Sequence, residues 1–319
     1  MDLLDIQGLT THFFTRSGVV NAVDNLSLAV QKGSVLGLVG ESGCGKTVTA
    51  LSILNLVPYP GKIITGKILF EGKDLLGLSA EEMRSIRGAR ISMIFQEPMT
   101  ALNPVFTVGD QIAEVLTAHR DVTRKEALKS AADLLQSVGI PSPEKRVNEY
   151  PHQLSGGMRQ RVMIAMAIAC KPALILADEP TTALDVTIQA HILELLGTIQ
   201  QEMGMAMVLV THDLGLIAER AHEVAVMYAG RIVEQAGTKE LFANPQHPYT
   251  RGLMASIPQP GEEGHKRLRT ILGTVPRLYD LPKGCTFAPR CDLKTGKCEI
   301  EPELVEVKPG HLVRCWEAK

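Results

Sequence analysis

The sequence predicts an α/β fold built on a mostly parallel sheet, and three observations predict it. Strand-length apolar runs alternate with helical patterns along much of the 319-residue chain. A glycine-rich loop stands between one such run and a helix. Polar residues collect where the apolar runs stop, as they do at the carboxyl edge of an open sheet that carries its site there. With 45% hydrophobic residues, the chain can bury one large domain and something smaller.

Residues 3–9, 11–15 and 22–28 read as short strands, with Ser17-Gly18 as the turn signal between them. Phe13 or Phe14 offers a face on which a base can stack, and either can equally fill the sheet. The apolar run 34–39 then leads into Gly40-Glu-Ser-Gly-Cys-Gly-Lys-Thr47, and a helix-length run follows from Val48. That is strand, phosphate loop, helix. Gly40, Gly43 and Gly45 let the backbone turn its N–H groups inward, with Glu41, Ser42, Cys44 and Val48 in the same cradle. Lys46 reaches the β/γ-phosphates, the Thr47 hydroxyl suits Mg²⁺, and the helix start adds its positive end. The loop predicts binding of a nucleoside triphosphate.

Residues 63–70 read as a strand, and the β-rich run 89–95 stops at Gln96-Glu-Pro98, so Gln96 sits at a strand end. From Pro98 to about Pro151 the pattern turns helical. Residues 107–116 form one helix, and Thr123-Arg-Lys-Glu126 is a capping box for another, with Leu128, Ala131, Leu135 and Val138 at helical spacing. The insertion ends in Leu154-Ser-Gly-Gly-Met-Arg-Gln-Arg161 and a small-residue helix through Ala169. Residues 173–179 are an apolar strand ending in Asp178 and Glu179, and 207–213 are another, with His212 near its end. Adjacent strand residues point to opposite faces, so the two carboxylates divide their roles unless the chain turns there.

A net charge of −2 and a pI of about 6.5 give no basic footprint, which disfavours nucleic acid as a partner. The start carries acids where a signal peptide would be basic, and the longest apolar stretches fall far below spanning length, so a cytoplasmic chain is expected. Cys44 and Cys170 stand alone, whereas Cys285, Cys291, Cys298 and Cys315 crowd the tail. Without a secretion signal, a metal or cluster is favoured over disulfides. No C-x-x-C pair occurs, and four thiolates suit zinc or a [4Fe–4S] cluster on ligand chemistry alone. The stretch is rich in Pro and Gly, so a staple in place of a core of its own is expected.

In motif order the chain resembles the ATP-binding subunits of ABC transporters: phosphate loop, Gln96, the Leu154-Ser-Gly-Gly-Met158 signature, Asp178-Glu179, Ala183-Leu-Asp185 and His212. The resemblance covers nearly the whole chain. It implies a P-loop NTPase (ABC nucleotide-binding domain) over 1–240, with a helical subdomain at about 98–160, and a small Cys-rich C-terminal extension over 241–319. It implies that Ser155, Gly156, Gly157 and Gln160 serve the nucleotide of a partner subunit, and that Asp185 sits at the dimer seam. Asp178, Thr47 and Gln96 are implied as Mg²⁺ ligands, Glu179 as the base for the attacking water, and His212 as a γ-phosphate or water contact.

Residues 97–105, just after Gln96, and the His-Pro-Tyr-Thr opening within 244–258 resemble the ATPases of dipeptide, oligopeptide and nickel importers. That likeness implies uptake of dipeptides or oligopeptides at the cytoplasmic face of the inner membrane. The partners implied are a second ATPase subunit, expected as a paralogue, two transmembrane permease subunits and a periplasmic or extracellular peptide-binding protein. It also implies a [4Fe–4S] cluster on the four tail cysteines, with zinc as the alternative. A nickel or glutathione importer ATPase is the alternative substrate reading. A soluble non-transport ABC ATPase is the alternative class, against which stands the single phosphate loop, since translation-type members usually carry two cassettes.

Overall fold

In the computed structural model, which describes residues 2–182, 184–256 and 271–318, the chain opens with β1 (Asp2–Thr15), β2 (Gly18–Gln31) and β3 (Val35–Val39). α1 (Lys46–Ile53), β4 (Gly61–Phe70) and the short β5 (Lys73–Asp74) follow, then α2 (Ala80–Ile86) and β6 (Ile91–Ile94). Next come α3 (Pro98–Ala101), α4 (Val108–His119), α5 (Arg124–Ser137), α6 (Pro143–Arg146) and α7 (Gly156–Ile168). Strands and helices then alternate as β7 (Leu174–Asp178), α8 (Val186–Met203), β8 (Ala206–Thr211), α9 (Leu214–Arg220), β9 (Glu223–Tyr228) and β10 (Arg231–Gly237). The last elements are α10 (Thr238–Ala243), α11 (Pro248–Ala255), β11 (Val305–Lys308) and β12 (His311–Val313). Among the described residues no helix is long and apolar enough to cross a membrane.

The chain divides into two units. One comprises residues 31–34 and 77–208, the other residues 2–30, 35–76 and 209 onward. In the first, β6 and β7 pair in parallel, Ile91 opposite Leu174 and Ile94 opposite Ala177. All five residues of β7 are buried, as the continuous apolar run requires of a parallel strand covered on both faces. The Thr123 capping box forms, with the Glu126 carboxylate accepting from the Thr123 N–H at 2.9 Å. Ala127, Ala131, Leu135 and Val138 are buried, while Leu128 is only half-buried; Ala127 takes the inner position one residue earlier.

In the second unit β3, buried throughout, pairs in parallel with β9. The hairpin β9–β10 is antiparallel, β10 pairs with β12, and β12 with β11. A separate antiparallel sheet has the order β2-β1-β4-β5. Here the structure corrects two expectations. The break near residue 10 is absent: β1 is one 14-residue strand, and register shifts between Gln7 and Thr11 beside Gly8, at φ 58°, absorb the irregular pattern as a bulge. The cysteine-bearing tail does not depend on a staple alone either. Its hairpin extends the sheet from β10, and Phe287, His311 and Val313 are buried at 3%, 0% and 0% exposure.

Candidate functional site

The phosphate loop leaves buried β3 and enters α1 through Gly45, which caps the helix at φ 109°. A side chain at Gly40 would run into the Met227 carbonyl, and one at Gly45 into the Ala22 carbonyl, so only glycine fits where strand and loop approach this closely. Lys46 is 5% exposed, and its Nζ donates to the carbonyls of Gly40 at 2.8 Å and Glu41 at 3.1 Å. Ser42, Gly43 and Thr47 are exposed and Val48 is half-buried. The Cys44 side chain points inward and is fully buried; burial pushes its thiol up, so its place in the cradle is by backbone alone. Phe13 is half-buried with its ring against Gly61, and Phe14 is 47% exposed, so neither is sheet core.

Two residues that sequence reasoning missed hold this loop. The phenolic oxygen of Tyr249 accepts from the Glu41 N–H at 2.8 Å. Burial pushes that phenol well above its ordinary value, so it stays protonated. Arg290 grips the Glu41 carboxylate with both terminal nitrogens, at 2.7 and 3.0 Å, and this raises the guanidinium further. Tyr249 lies in the His-Pro-Tyr-Thr segment already singled out; nothing about Arg290 in the sequence beyond its place before Cys291 marked it. Pro258, at the end of that segment, lies outside the described residues.

In the other unit, Asp178 ends β7 at 2% exposure, and the chain turns at the next residue. Glu179 has φ 44°, a left-handed conformation that costs a non-glycine residue energy and concentrates at functional sites. The alternation of strand faces therefore stops at Asp178. Glu179 is half-buried, and its Oε2 accepts from Gln96 Nε2 at 2.9 Å and from the Thr182 hydroxyl at 3.0 Å. The structure thus brings Gln96 and Glu179 together across 83 residues of sequence. Thr182 is a third member that the sequence reading overlooked. His212 is exposed just beyond β8, next to Asp213, which caps α9.

The signature is split by its own helix. Ser155 caps α7, accepting from the Met158 N–H at 3.3 Å, and it and Gly156 are exposed. Gly157 and Gln160 face inward instead: Gly157 is buried with Ile188 against it, and Gln160 is 1% exposed. Gly157 and Gln160, three apart, share the inner face of the helix, whereas Ser155 and Gly156 reach solvent. Asp185 is exposed and caps α8, accepting from the Ile188 N–H at 2.9 Å. Ala183 of that motif lies outside the described residues.

The four tail cysteines lie in one unit. Burial pushes the thiols of Cys285, Cys291 and Cys315 up, Cys291 to about 11, and each is raised further by at least one of the other cysteines. The Cys285 N–H donates to the Cys298 carbonyl at 2.9 Å, and the Glu317 N–H donates to the Cys315 sulfur at 3.4 Å. Among the described residues, no three His, Cys, Asp or Glu side chains gather closely enough to hold a single metal ion.

Comparison with known proteins adds two family matches in order along the chain. Residues 23–182 match the ABC transporter family, and residues 233–298 match the C-terminal region of oligopeptide/dipeptide transporters. The chain is 54% identical over 318 residues to a probable peptide ABC transporter ATP-binding protein, y4tR, of Sinorhizobium fredii, covering 99% of this chain and 95% of that one. It is 49% identical over 316 residues to the dipeptide transport ATP-binding protein DppD of Escherichia coli, covering 99% and 96%. Among solved structures, the dimeric bacterial ABC transporter cassette MJ0796 is similar with a TM-score of 0.66 and 28% identity, over 74% of this chain and 98% of that one.

Proposed function

The chain belongs to the ABC transporter ATP-binding family, and on that premise we propose that it is the ATP-hydrolysing subunit of a peptide importer, taking up dipeptides or oligopeptides. The observation that carries the catalytic half of this reading is the carboxylate of Glu179, lifted out of the strand by a left-handed turn and held by Gln96 and Thr182. Two donors on one oxygen fix the carboxylate's direction, which is what a base that orients an attacking water needs. Lys46 and the loop amides neutralise the β/γ-phosphates, and His212 contacts the γ-phosphate or the water. Phe13 offers its half-buried ring to the base.

Thr47, Asp178 and Gln96 present a hydroxyl, a carboxylate and an amide oxygen, the hard donors that Mg²⁺ takes. Mg²⁺ bound there would spread the charge that develops on the transferred phosphoryl group. Ser155, Gly156, Gly157 and Gln160, at the start of α7, serve the nucleotide of a second ATPase subunit, a paralogue, and Asp185 lies at the seam between the two. Two permease subunits and a peptide-binding protein complete the transporter, with this chain peripheral at the cytoplasmic face of the inner membrane. The domains in this reading are 1–240 for the ATPase, with the helical insertion at about 98–160, and 241–319 for the extension.

The four tail cysteines are proposed to hold a [4Fe–4S] cluster. What supports the reading is ligand chemistry, four thiolates along one stretch of the tail, which suits such a cluster and, as the alternative, zinc. The cluster would be structural, outside the hydrolytic step.

Replacing Glu179 with Gln keeps shape and hydrogen bonding and removes the proton acceptor. ATP binding should survive, hydrolysis by the assembled transporter should fall roughly 10²-fold or more, and the closed dimer should accumulate. Near-normal turnover in Glu179→Gln would end the assignment.

A further inference from the structure

Glu41 is held at three points within its own unit. Its carbonyl accepts from Lys46 Nζ at 3.1 Å, its N–H donates to the Tyr249 phenol at 2.8 Å, and its carboxylate takes both terminal nitrogens of Arg290. Two of these three holders come from the C-terminal extension, 208 and 249 residues further along the chain.

The holders are themselves fixed. The Arg290 side chain is 4% exposed, its Nε donates to the Leu272 carbonyl at 3.0 Å, and its guanidinium lies 5.8 Å from the Tyr228 ring centroid and 6.0 Å from that of Phe287. Tyr249 is fully buried with its ring 4.7 Å from Tyr228 and 5.4 Å from Phe287. His247, 2% exposed, caps the start of α11 by accepting from the Tyr249 N–H at 3.0 Å, and its own N–H donates to Glu234 at 2.9 Å. An arginine fork on a carboxylate fixes angle as well as distance, and a buried aromatic cluster holds the fork in one rotamer.

A buried ion pair is poor evidence of net stabilisation, because desolvation offsets much of the attraction. Its geometric specificity is another matter when one partner is the second residue of the loop that cradles phosphates. Backbone amides aimed beforehand at an anion bind it without a cost of ordering. We infer that Arg290, with Tyr249, is a positioning residue for nucleotide binding: the C-terminal extension sets the conformation of the phosphate loop through Glu41, so ATP affinity at residues 40–47 depends on the tail. This rests on the reading of residues 40–47 as the nucleotide site.

The test measures affinity for a fluorescent ATP analogue with Mg²⁺ in the full chain. Arg290→Ala and Glu41→Ala should each weaken binding about tenfold, as lost preorganisation of the loop amides raises the cost of ordering them on the phosphates. The double variant should be no weaker than either single one, because one interaction is removed in all three. Arg290→Lys keeps charge without the fork and should recover part of the loss. Tyr249→Phe keeps the ring in its cluster and removes only the oxygen that accepts from the Glu41 N–H. It should weaken binding about threefold, the scale of one lost neutral hydrogen bond, so the idea stays testable if Arg290→Ala folds poorly. A purely structural pair would lower melting temperature and leave affinity alone. Wild-type affinity in folded Arg290→Ala and Tyr249→Phe, with binding lost in Lys46→Ala, would overturn the positioning role and leave the phosphate site standing. A double variant about a hundredfold weaker, the two losses adding, would also overturn it. Unchanged binding in Lys46→Ala would remove the phosphate site itself and the inference with it.

Discussion

Acid should loosen the attachment of the extension at one identifiable side chain. His247 is 2% exposed, and its imidazole is pushed down from an ordinary 6.5 to about 3, first by burial and then by the charges of Arg251 and Arg314. The neutral ring is required in the fold, because its Nδ1 accepts from the Tyr249 N–H. In the unfolded chain the same ring takes up a proton below about pH 6.5. Between pH 6.5 and 3 the unfolded state therefore binds more protons, and stability falls as pH falls. The contribution of His247 is complete above pH 6.5. At about 1.4 kcal/mol per unit, it loses about 2 kcal/mol between pH 6.5 and 5. The charges that act on the ring are Arg251 of its own helix and Arg314 beyond β12, while Glu234 of β10 accepts the backbone N–H of His247. The assay is denaturant unfolding of wild type and His247→Asn at about pH 7 and pH 5. Asparagine also caps helices and carries no titrating group. The stability advantage of wild type over the variant should shrink by about 2 kcal/mol on acidification. Parallel losses in the two proteins would show that His247 is not the titrating group.

Gly156→Asp places a negative charge at the exposed first residue of α7, where the helix dipole welcomes it and a triphosphate does not. The isolated subunit should bind ATP within about twofold of wild type, and ATP-driven dimerisation should disappear by light scattering; loss of ATP binding by the lone subunit would instead mean a local role. Protein purified without oxygen should be brown, with about four irons and four sulfides per chain, and Cys→Ser changes should destabilise the tail before they touch ATP binding. Colourless protein carrying stoichiometric zinc and no acid-labile sulfide would replace the cluster with the zinc site.

The elements with one dominant local signal were legible. The phosphate loop is a contiguous pattern in which Gly40 and Gly45 sit where carbonyls of other strands crowd the backbone, and the Thr123 capping box is written in two residues. The Asp178-Glu179 pair was legible as chemistry but not as shape, since the left-handed turn at Glu179 is imposed by its surroundings against the residue's own preference. That Gly157 packs against Ile188 escaped the sequence, because a glycine's neighbours are not written in the residues beside it. Arg290 was invisible for another reason: nothing in the residues around it reports a carboxylate 249 positions earlier. Long-range pairs of this kind are fixed only when the sheet is assembled.

The hairpin β11–β12 has a bearing on how this protein can be cut. β12 covers β10 at Glu234 and Gln235, which without it would present unpaired N–H and C=O groups at the sheet edge. A chain trimmed at the end of α11 would carry that edge uncovered. Residues 305–313 act as a selvedge, and anyone shortening the chain for crystallisation or fusion should keep them or replace them with a charged, strand-breaking substitute.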